Sequence, residues 1–439
     1  FNLAGPGGLG REASREDMRK VVACFRDSQG QISSVRLDKK KLIDAKTLDD
    51  RRLTKAGVNF LWAAAVNKYF AAVLVPLPDE GKDYCGWVMD ITGRFYNPDG
   101  DSKADSGDET IGLDLKIASN TLAAAGQANS SKTYKFQLYI GPKDKSLFDK
   151  NQRYRELGFV QTIDFLSCCC PASIINPLAF GILAIMKWMY GIIGNYGLVI
   201  IILVLLMRLA MHPVTKKSQV SMNKVTKLAP KAEEIRKKYA GNKAEMNKQM
   251  MALYKEQGAS PIMGFLPMIV QMPIWIALWS AVYASIELRG APFLPFWITD
   301  LSAPDALFRF PAVTLPLFGK LDSFNLLPIL MGVAFYLQQK LMPTQTPAAS
   351  TSPQAAQQQQ MQKTMMIMMP LMFPLMLYKA PSGVNLYIMA STFAGVFEQY
   401  VIRKHIREKE EAESKGLVAA TSKTGGKVKK KKPKPFYKI

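Results

Sequence analysis

From Gly191 to Met211 the chain runs for 21 residues with a single charged side chain, Arg208, and from Ile262 to Ile286 it carries no Asp, Glu, Lys or Arg at all. At 1.5 Å per residue a helix of about 20 apolar residues matches the roughly 30 Å of a bilayer's hydrocarbon and satisfies its own backbone groups there. Three further stretches follow: Phe324 to Met342, the Met-rich Met365 to Tyr378, and Val384 to Ile402. The pattern therefore predicts an α-helical polytopic membrane protein with five crossings. Pro267, Pro273, Pro370 and Pro374 interrupt the second and fourth segments, which shapes packing or marks a functional irregularity. Pro213 predicts a helix boundary or bend at the end of the first.

An apolar, aromatic stretch also lies before these, from Asp164 to Ile193, cut by Pro171 and Pro177 and carrying Lys187. Trp188 and Tyr190 suit the headgroup level, so an amphipathic helix on the membrane surface is expected, with a sixth crossing as the rival.

Charge on the connections sets direction. His212 to Gly258 holds 11 Lys/Arg against four Glu, Glu287 to Asn325 holds three against four acids, and Arg403 to the end holds 13 against four. Basic connections stay in the cytoplasm. Five crossings then place the amino-terminal region outside and the carboxyl tail inside; a crossing by Phe165 to Met186 would move that first region inward.

Residues 1 to about 150 are polar enough for water. β-like runs occur around Val58 to Phe60, Phe70 to Val75 and Tyr134 to Ile140, with a turn at Asn97-Pro98-Asp99-Gly100 and a loop from Ala104 to Glu109. A mainly β domain is expected. The sequence opens on Phe1 with no signal-peptide pattern, which reads as a processed or truncated amino end. Cys24, Cys85 and the run Cys168, Cys169, Cys170 lack zinc-module spacing, and the two histidines, His212 and His405, are far apart. No metal, cofactor or nucleophile motif is present, which argues against an enzyme.

Past the first crossing, Val214 to Ala229 continues the helix, Pro230 opens another to Ala240, and Gly241-Asn242 turns the chain into Lys243 to Gln257. This is a helical hairpin. Lys237, Lys238, Lys243 and Lys248 are its candidate anionic contacts, against the alternative of a solubilising surface. At the chain end, Lys427, Lys429, Lys430, Lys431, Lys432, Lys434 and Lys438 around two prolines predict a largely disordered basic tail, with ribosomal RNA or anionic phospholipid as partner.

Particular strings go further: Asn195-Tyr196-Gly197-Leu198, His212-Pro213-Val214-Thr215-Lys216, Leu228-Ala229-Pro230-Lys231, Met250 to Lys255, Gln271-Met272-Pro273-Ile274, Glu287-Leu288-Arg289, Ala291-Pro292-Phe293 and Pro381-Ser382-Gly383. Together they resemble the YidC/Oxa/Alb family of membrane-protein insertases over roughly residues 155 to 408. The resemblance implies a partial periplasmic β-sandwich domain (1–163), a periplasmic-side amphipathic helix (164–190), a five-helix insertase core (191–408) containing a basic helical region with hairpin (214–258), and a tail (409–439). It implies a non-enzymatic insertase and folding chaperone of the bacterial inner membrane, without cofactors, serving nascent membrane proteins alone or with the Sec translocon; a small-solute transporter or channel is the alternative class. Arg208 corresponds to the family's groove arginine, with Gln271 and Asn385 as further polar groove contacts. Met263, Met268, Met272, Met366 and Met369 would form an adaptable apolar surface or simply pack. Glu398 lowers the positive potential or contacts the basic inner edge. Val204, one turn before Arg208, departs from the family pattern, which carries a hydroxyl residue there.

Overall fold

The computed structural model describes residues 1–12, 17–82, 84–98, 109–119, 121–127, 130–165, 170–239, 241–256, 261–315, 319–341, 360, 364, 368 and 370–421. The chain forms two compact units: Phe1–Trp188 with Ile274–Ala291, and Met189–Pro273 with Pro292–Ile439.

In the first unit eight strands make two antiparallel sheets. Strands β1 (Asn2–Gly7), β7 (Thr110–Ile117) and β6 (Val88–Tyr96) form one, in the order β1-β7-β6. The other runs β3-β2-β4-β5-β8, from β2 (Lys20–Arg26), β3 (Ile32–Asp38), β4 (Asn59–Val66), β5 (Phe70–Pro76) and β8 (Phe136–Pro142). The three β-like runs of the sequence thus lie on β4, β5 and β8. Of the expected turn and loop, Asp99, Gly100 and residues 104–108 lie outside the described residues.

Apolar side chains of both sheets meet in one core: Val21, Ala23 and Phe25 of β2, Phe60 and Ala63 of β4, Ile91 of β6, and Ile111, Leu113 and Leu115 of β7. Leu42, from the short helix α1 (Lys39–Asp44), completes it. Burying such side chains is worth about 25 cal/mol per Å² removed from water. Cys24 sits inside β2, where burial pushes its thiol up to about 12; Cys24, Cys85 and Cys170 are free.

Two short helices, α2 (Lys145–Lys150) and α3 (Gln152–Glu156), follow the strands, and then α4 (Ala172–Ile193). The buried residues of α4 are Ile175, Ala179, Ile182, Met186 and Met189, spaced by three and four so that they form one stripe. Within the first unit this helix is fastened to its surroundings. Lys187 pairs with Glu287 at 2.8 Å and donates to the Ser146 hydroxyl at 2.7 Å, and the Phe180 ring meets Phe165 at 4.9 Å.

Gly194 ends α4. Its φ of 71° is left-handed, a conformation glycine adopts without steric cost, and its N–H returns to the Tyr190 carbonyl at 2.8 Å. Asn195 then starts α5 (Tyr196–Lys227), its side-chain oxygen accepting from the Leu198 N–H at 3.1 Å. Helix α5 therefore begins at Tyr196, inside the apolar run that opens at Gly191: a helix stop and a helix cap lie within that run. Pro213 lies inside α5 rather than at a boundary.

Beyond α5 come α6 (Ala229–Lys238), with Pro230 in its first turn, α7 (Lys243–Glu256) and α8 (Pro261–Ala284). Glu287 to Asn325, a connection whose charge alone was considered, holds a hairpin of β9 (Ala306–Leu315) and β10 (Gly319–Asn325), with Phe308 stacked on Phe324 at 5.0 Å. Next are α9 (Leu326–Leu341), a helical stretch at 370–376, and α10 (Ser382–Thr421), which packs against α5 and α9 in the second unit. Helix α10 continues 13 residues past 408, where the tail was expected to start; its Glu- and Lys-rich sequence favours helix.

Among the described residues two helical spans are long and apolar enough to cross a membrane, Ala172–Ile193 and Tyr196–Val225, and Ile269–Ala284 is a shorter apolar helix. The first is the stretch expected to lie on the membrane surface.

At the base of the β9–β10 hairpin, Asp305 accepts the Leu327 N–H at 2.6 Å at the start of α9, while its other oxygen is buried without a partner. Burial outweighs the N–H contacts and pushes this carboxyl up to about 6. The folded state thus holds the proton more tightly than the unfolded chain, so this contribution to stability is full below about pH 4 and lost as pH rises through about 6. Thermal unfolding in detergent across pH 4 to 8 should show that loss in the wild-type chain and a flatter profile in Asp305→Asn.

Candidate functional site

Arg208 and His212 are one turn apart on α5 and share a face. On α10 the same holds for Ser391, Gly395 and Glu398. Packing of the two helices brings these residues together. Arg208 Nη1 lies 3.4 Å from Glu398 Oε2, Arg208 Nη2 donates to Ser391 Oγ at 3.0 Å, and His212 Nδ1 faces Glu398 Oε1 at 3.2 Å.

Burial differs across the cluster. The Arg208 side chain keeps 22% of its surface exposed and Glu398 only 8%, so the cation is the reachable member of the pair. Arg208 Nε is buried without a hydrogen-bond partner. An isolated charge among membrane helices is expensive, and a carboxylate with a hydroxyl beside it lowers that cost without eliminating it. Val204, one turn before Arg208, is buried at 3% exposure and offers the cation no hydrogen-bonding group.

Space for the guanidinium depends on Gly395. A Cβ added there would stand 3.3 Å from Arg208 Nη2, 3.4 Å from its Cζ and 3.2 Å from Gln338 Nε2 of α9. Three helices thus meet at a glycine, with polar groups from each.

Of the other expected groove residues, Asn385 lies elsewhere. Asn385 is fully buried in the first turn of α10, and its Nδ2 donates to the Leu377 carbonyl at 3.2 Å and the Ala380 carbonyl at 3.5 Å. It ties down the chain entering the helix, about 20 Å along the axis from Glu398. Gln271, Met263 and Met272 are half-buried on α8. The Met268 side chain, Met366 and Met369 lie outside the described residues. In their neighbourhood Met368, Met372 and Met376 are exposed at four-residue spacing with Leu371 beside them, an apolar helical face that periodicity within the Met-rich run could have found.

The hairpin lysines are all exposed. Lys237 pairs with Glu233 at 3.5 Å, Lys248 with Glu245 at 3.9 Å, and Lys238 lies over the Tyr239 ring. Lys243 opens α7, which has no buried residue. Exposed pairs of this kind contribute little to stability, so the hairpin is held by its packing and by the Asn242 cap, which accepts from the Glu245 N–H at 3.1 Å. Lys427, Lys429, Lys430, Lys431, Lys432, Lys434 and Lys438 lie outside the described residues.

Sequence reading missed Ser391, Gly395 and Gln338, and it did not pair Glu398 with Arg208. Glu398 was visible as an acid inside an apolar segment, but which helix it faced was not.

Comparison with known proteins follows this geometry. Residues 188–410, just over half the chain, match the family model described as 60Kd inner membrane protein. The chain belongs to the YidC/Oxa/Alb family. Residues 11–167 match a second model, the YidC periplasmic domain, so the two-sheet unit is of the kind YidC proteins carry in the periplasm. Among relatives named membrane protein insertase YidC, that of Pelodictyon phaeoclathratiforme is 34% identical over 346 residues, covering 78% of this chain and 52% of the relative. The Chlorobium phaeovibrioides protein is 32% identical over 410 residues, 93% of this chain and 62% of the relative. That of Chlamydia caviae is 31% identical over 396 residues, 88% and 46%. The chain thus spans about half to three-fifths of their length. A crystal structure of an active YidC insertase with its first transmembrane domain resolved aligns over 80% of this chain and 82% of that one, at 18% identity and a TM-score of 0.34.

If Gly395 is the point where Arg208 and Gln338 find room, its substitutions should separate by size. Gly395→Leu is expected to cost about 1–3 kcal/mol by overpacking, whereas in Gly395→Ala small shifts and a gain of about 1 kcal/mol in helix propensity nearly cancel. Unfolding of both variants in the same detergent checks the difference.

Proposed function

We propose that this chain is a membrane-protein insertase and folding chaperone of the bacterial inner membrane, moving short polar segments across the bilayer while apolar helices pass sideways into lipid. One observation carries this reading: a partly exposed arginine on an apolar helix, held by Ser391 and Glu398 of a neighbouring helix. The relatives' name, membrane protein insertase, supports it.

The physical task is to lower a barrier. A polar or acidic segment entering hydrocarbon loses its hydration, at a cost of several kcal/mol per charge. A cation with spare donors, reached from one side, replaces part of that hydration. Transfer of the client's apolar helix out of water supplies the favourable term, about 25 cal/mol per Å². No bond is made or broken, so the role is not that of an enzyme.

In this reading α5, α8, α9, the Met-rich segment around 370–376 and α10 are the five crossings. Helix α4 lies on the periplasmic side, since Lys187 is engaged by Glu287 and Ser146 within the β-rich unit. The two sheets form the periplasmic β-sandwich, and the α6–α7 hairpin and the basic tail are cytoplasmic. Exposed Met368, Met372 and Met376 give client helices an adaptable apolar contact. The tail lysines recruit the ribosome through RNA, anionic phospholipids compete for them, and the Sec translocon is a partner for larger clients.

Two measurements test this. In proteoliposomes, Arg208→Glu places two carboxylates side by side and should reduce protease-protected insertion of a short single-span client about tenfold or more at equal protein abundance; normal insertion of several clients would refute the charge role. Deleting Lys427 to Ile439 should weaken ribosome binding and flatten its salt dependence. Equal binding by both forms across a salt series would remove the RNA assignment.

A further inference from the structure

A device that attracts acidic segments needs a cation, yet this chain sets an acid against it. We infer that Glu398 is a resident counterion that fixes how much negative charge a client segment must carry before it engages Arg208; the inference rests on the insertase reading.

The geometry is that of a contact made to be exchanged. Arginine and carboxylate at full strength meet through two parallel N–H bonds at about 2.7–2.9 Å. Here a single Nη1 approaches a single oxygen at 3.4 Å, while Nη2 is held by Ser391 at 3.0 Å. Ser391 thus keeps the guanidinium in place independently of Glu398. Nε is buried, so the donors within reach are those of Nη1 and Nη2. A client carboxylate that takes one N–H from each side by side replaces one long contact with two good ones.

Glu398 is not stranded by this exchange. Its second oxygen is already 3.2 Å from His212 Nδ1, on the same face of α5 one turn further along. The displaced carboxylate keeps that neighbour, which avoids the large cost of a buried charge left alone.

The burial pattern gives the exchange a direction. Arg208 is reachable from outside the cluster and Glu398 is covered, so the resident acid cannot serve as receptor for a basic segment. A neutral segment gains too little to open the pair. Clients are thereby ranked by acidity, with acidic segments favoured over neutral ones and neutral over basic. Without Glu398 the cation is bare, and a weakly acidic segment suffices.

The test uses the full chain in vesicles of phosphatidylethanolamine and phosphatidylglycerol. Single-span clients carry zero, one, two or three Asp in the translocated segment, and both protected product and crosslinking to α5 are scored per folded insertase. Glu398→Gln should raise insertion of the one-Asp client about fivefold relative to the zero-Asp client, the scale of one partly screened charge pair. Glu398→Asp, which keeps the charge but shortens the reach, should shift the Asp dependence less than Glu398→Gln. His212→Ala, which removes the neighbour of the displaced carboxylate, should shift the requirement the other way, toward more Asp. The same dependence on Asp number in wild type, Glu398→Gln and His212→Ala would overturn the inference, as would an equal rise for the zero-Asp client. If Arg208→Gln inserts every client normally, the insertase reading of this site fails; if Arg208→Gln is defective while the Asp dependence is unmoved by Glu398→Gln, only the counterion role fails.

Discussion

Placing one full positive charge inside a bundle of apolar helices is the constraint around which the second unit is organised. Only 22% of the Arg208 side chain is exposed, so neighbouring helices must supply compensation for its lost hydration. They do so unequally. Ser391 gives a good hydrogen bond, Glu398 a long ionic contact, and Gly395 the room for both. In the proposed role a tighter arrangement would be less useful, because a guanidinium with every donor satisfied has nothing to offer a passing chain.

The first unit meets a different requirement with different means. Its two sheets bury a shared apolar core, and its attachments to α4, to the end of α8 and to the segment after it are ionic and aromatic. Arg289 shows this well: it pairs with Glu12 at 3.2 Å and lies over the Phe70 ring at 5.0 Å. Lys68 lies over Tyr283 at 4.1 Å. Together with Lys187 and Glu287, these contacts bind residues distant in sequence into one body.

Much of this could be read from residue order, and what could not has physical reasons. The hairpin and its Pro230 start were legible because caps and turns are local. The apolar run Gly191 to Met211 concealed a helix break because hydropathy averages over Gly194 and Asn195, whose backbone roles are conformational. Of the boundary or bend expected at Pro213, no boundary forms, because proline's local preference yields when the surrounding helix is otherwise continuous. The β9–β10 hairpin escaped notice in a connection judged by charge alone. At the site, Arg208 stood out as a charge in an apolar run, whereas its partners depend on which faces of α5, α9 and α10 meet. Asn385 drew attention by polarity, and the structure spends that polarity on the backbone.

Helix α10 has a mechanical consequence. Its 40 residues make a rod of about 60 Å, against a hydrocarbon layer of about 30 Å. Whatever portion lipid surrounds, a stiff arm of similar length projects beyond it. Inserting or deleting whole turns between Ile402 and Thr421 would therefore move the end of that arm in steps of about 5.4 Å.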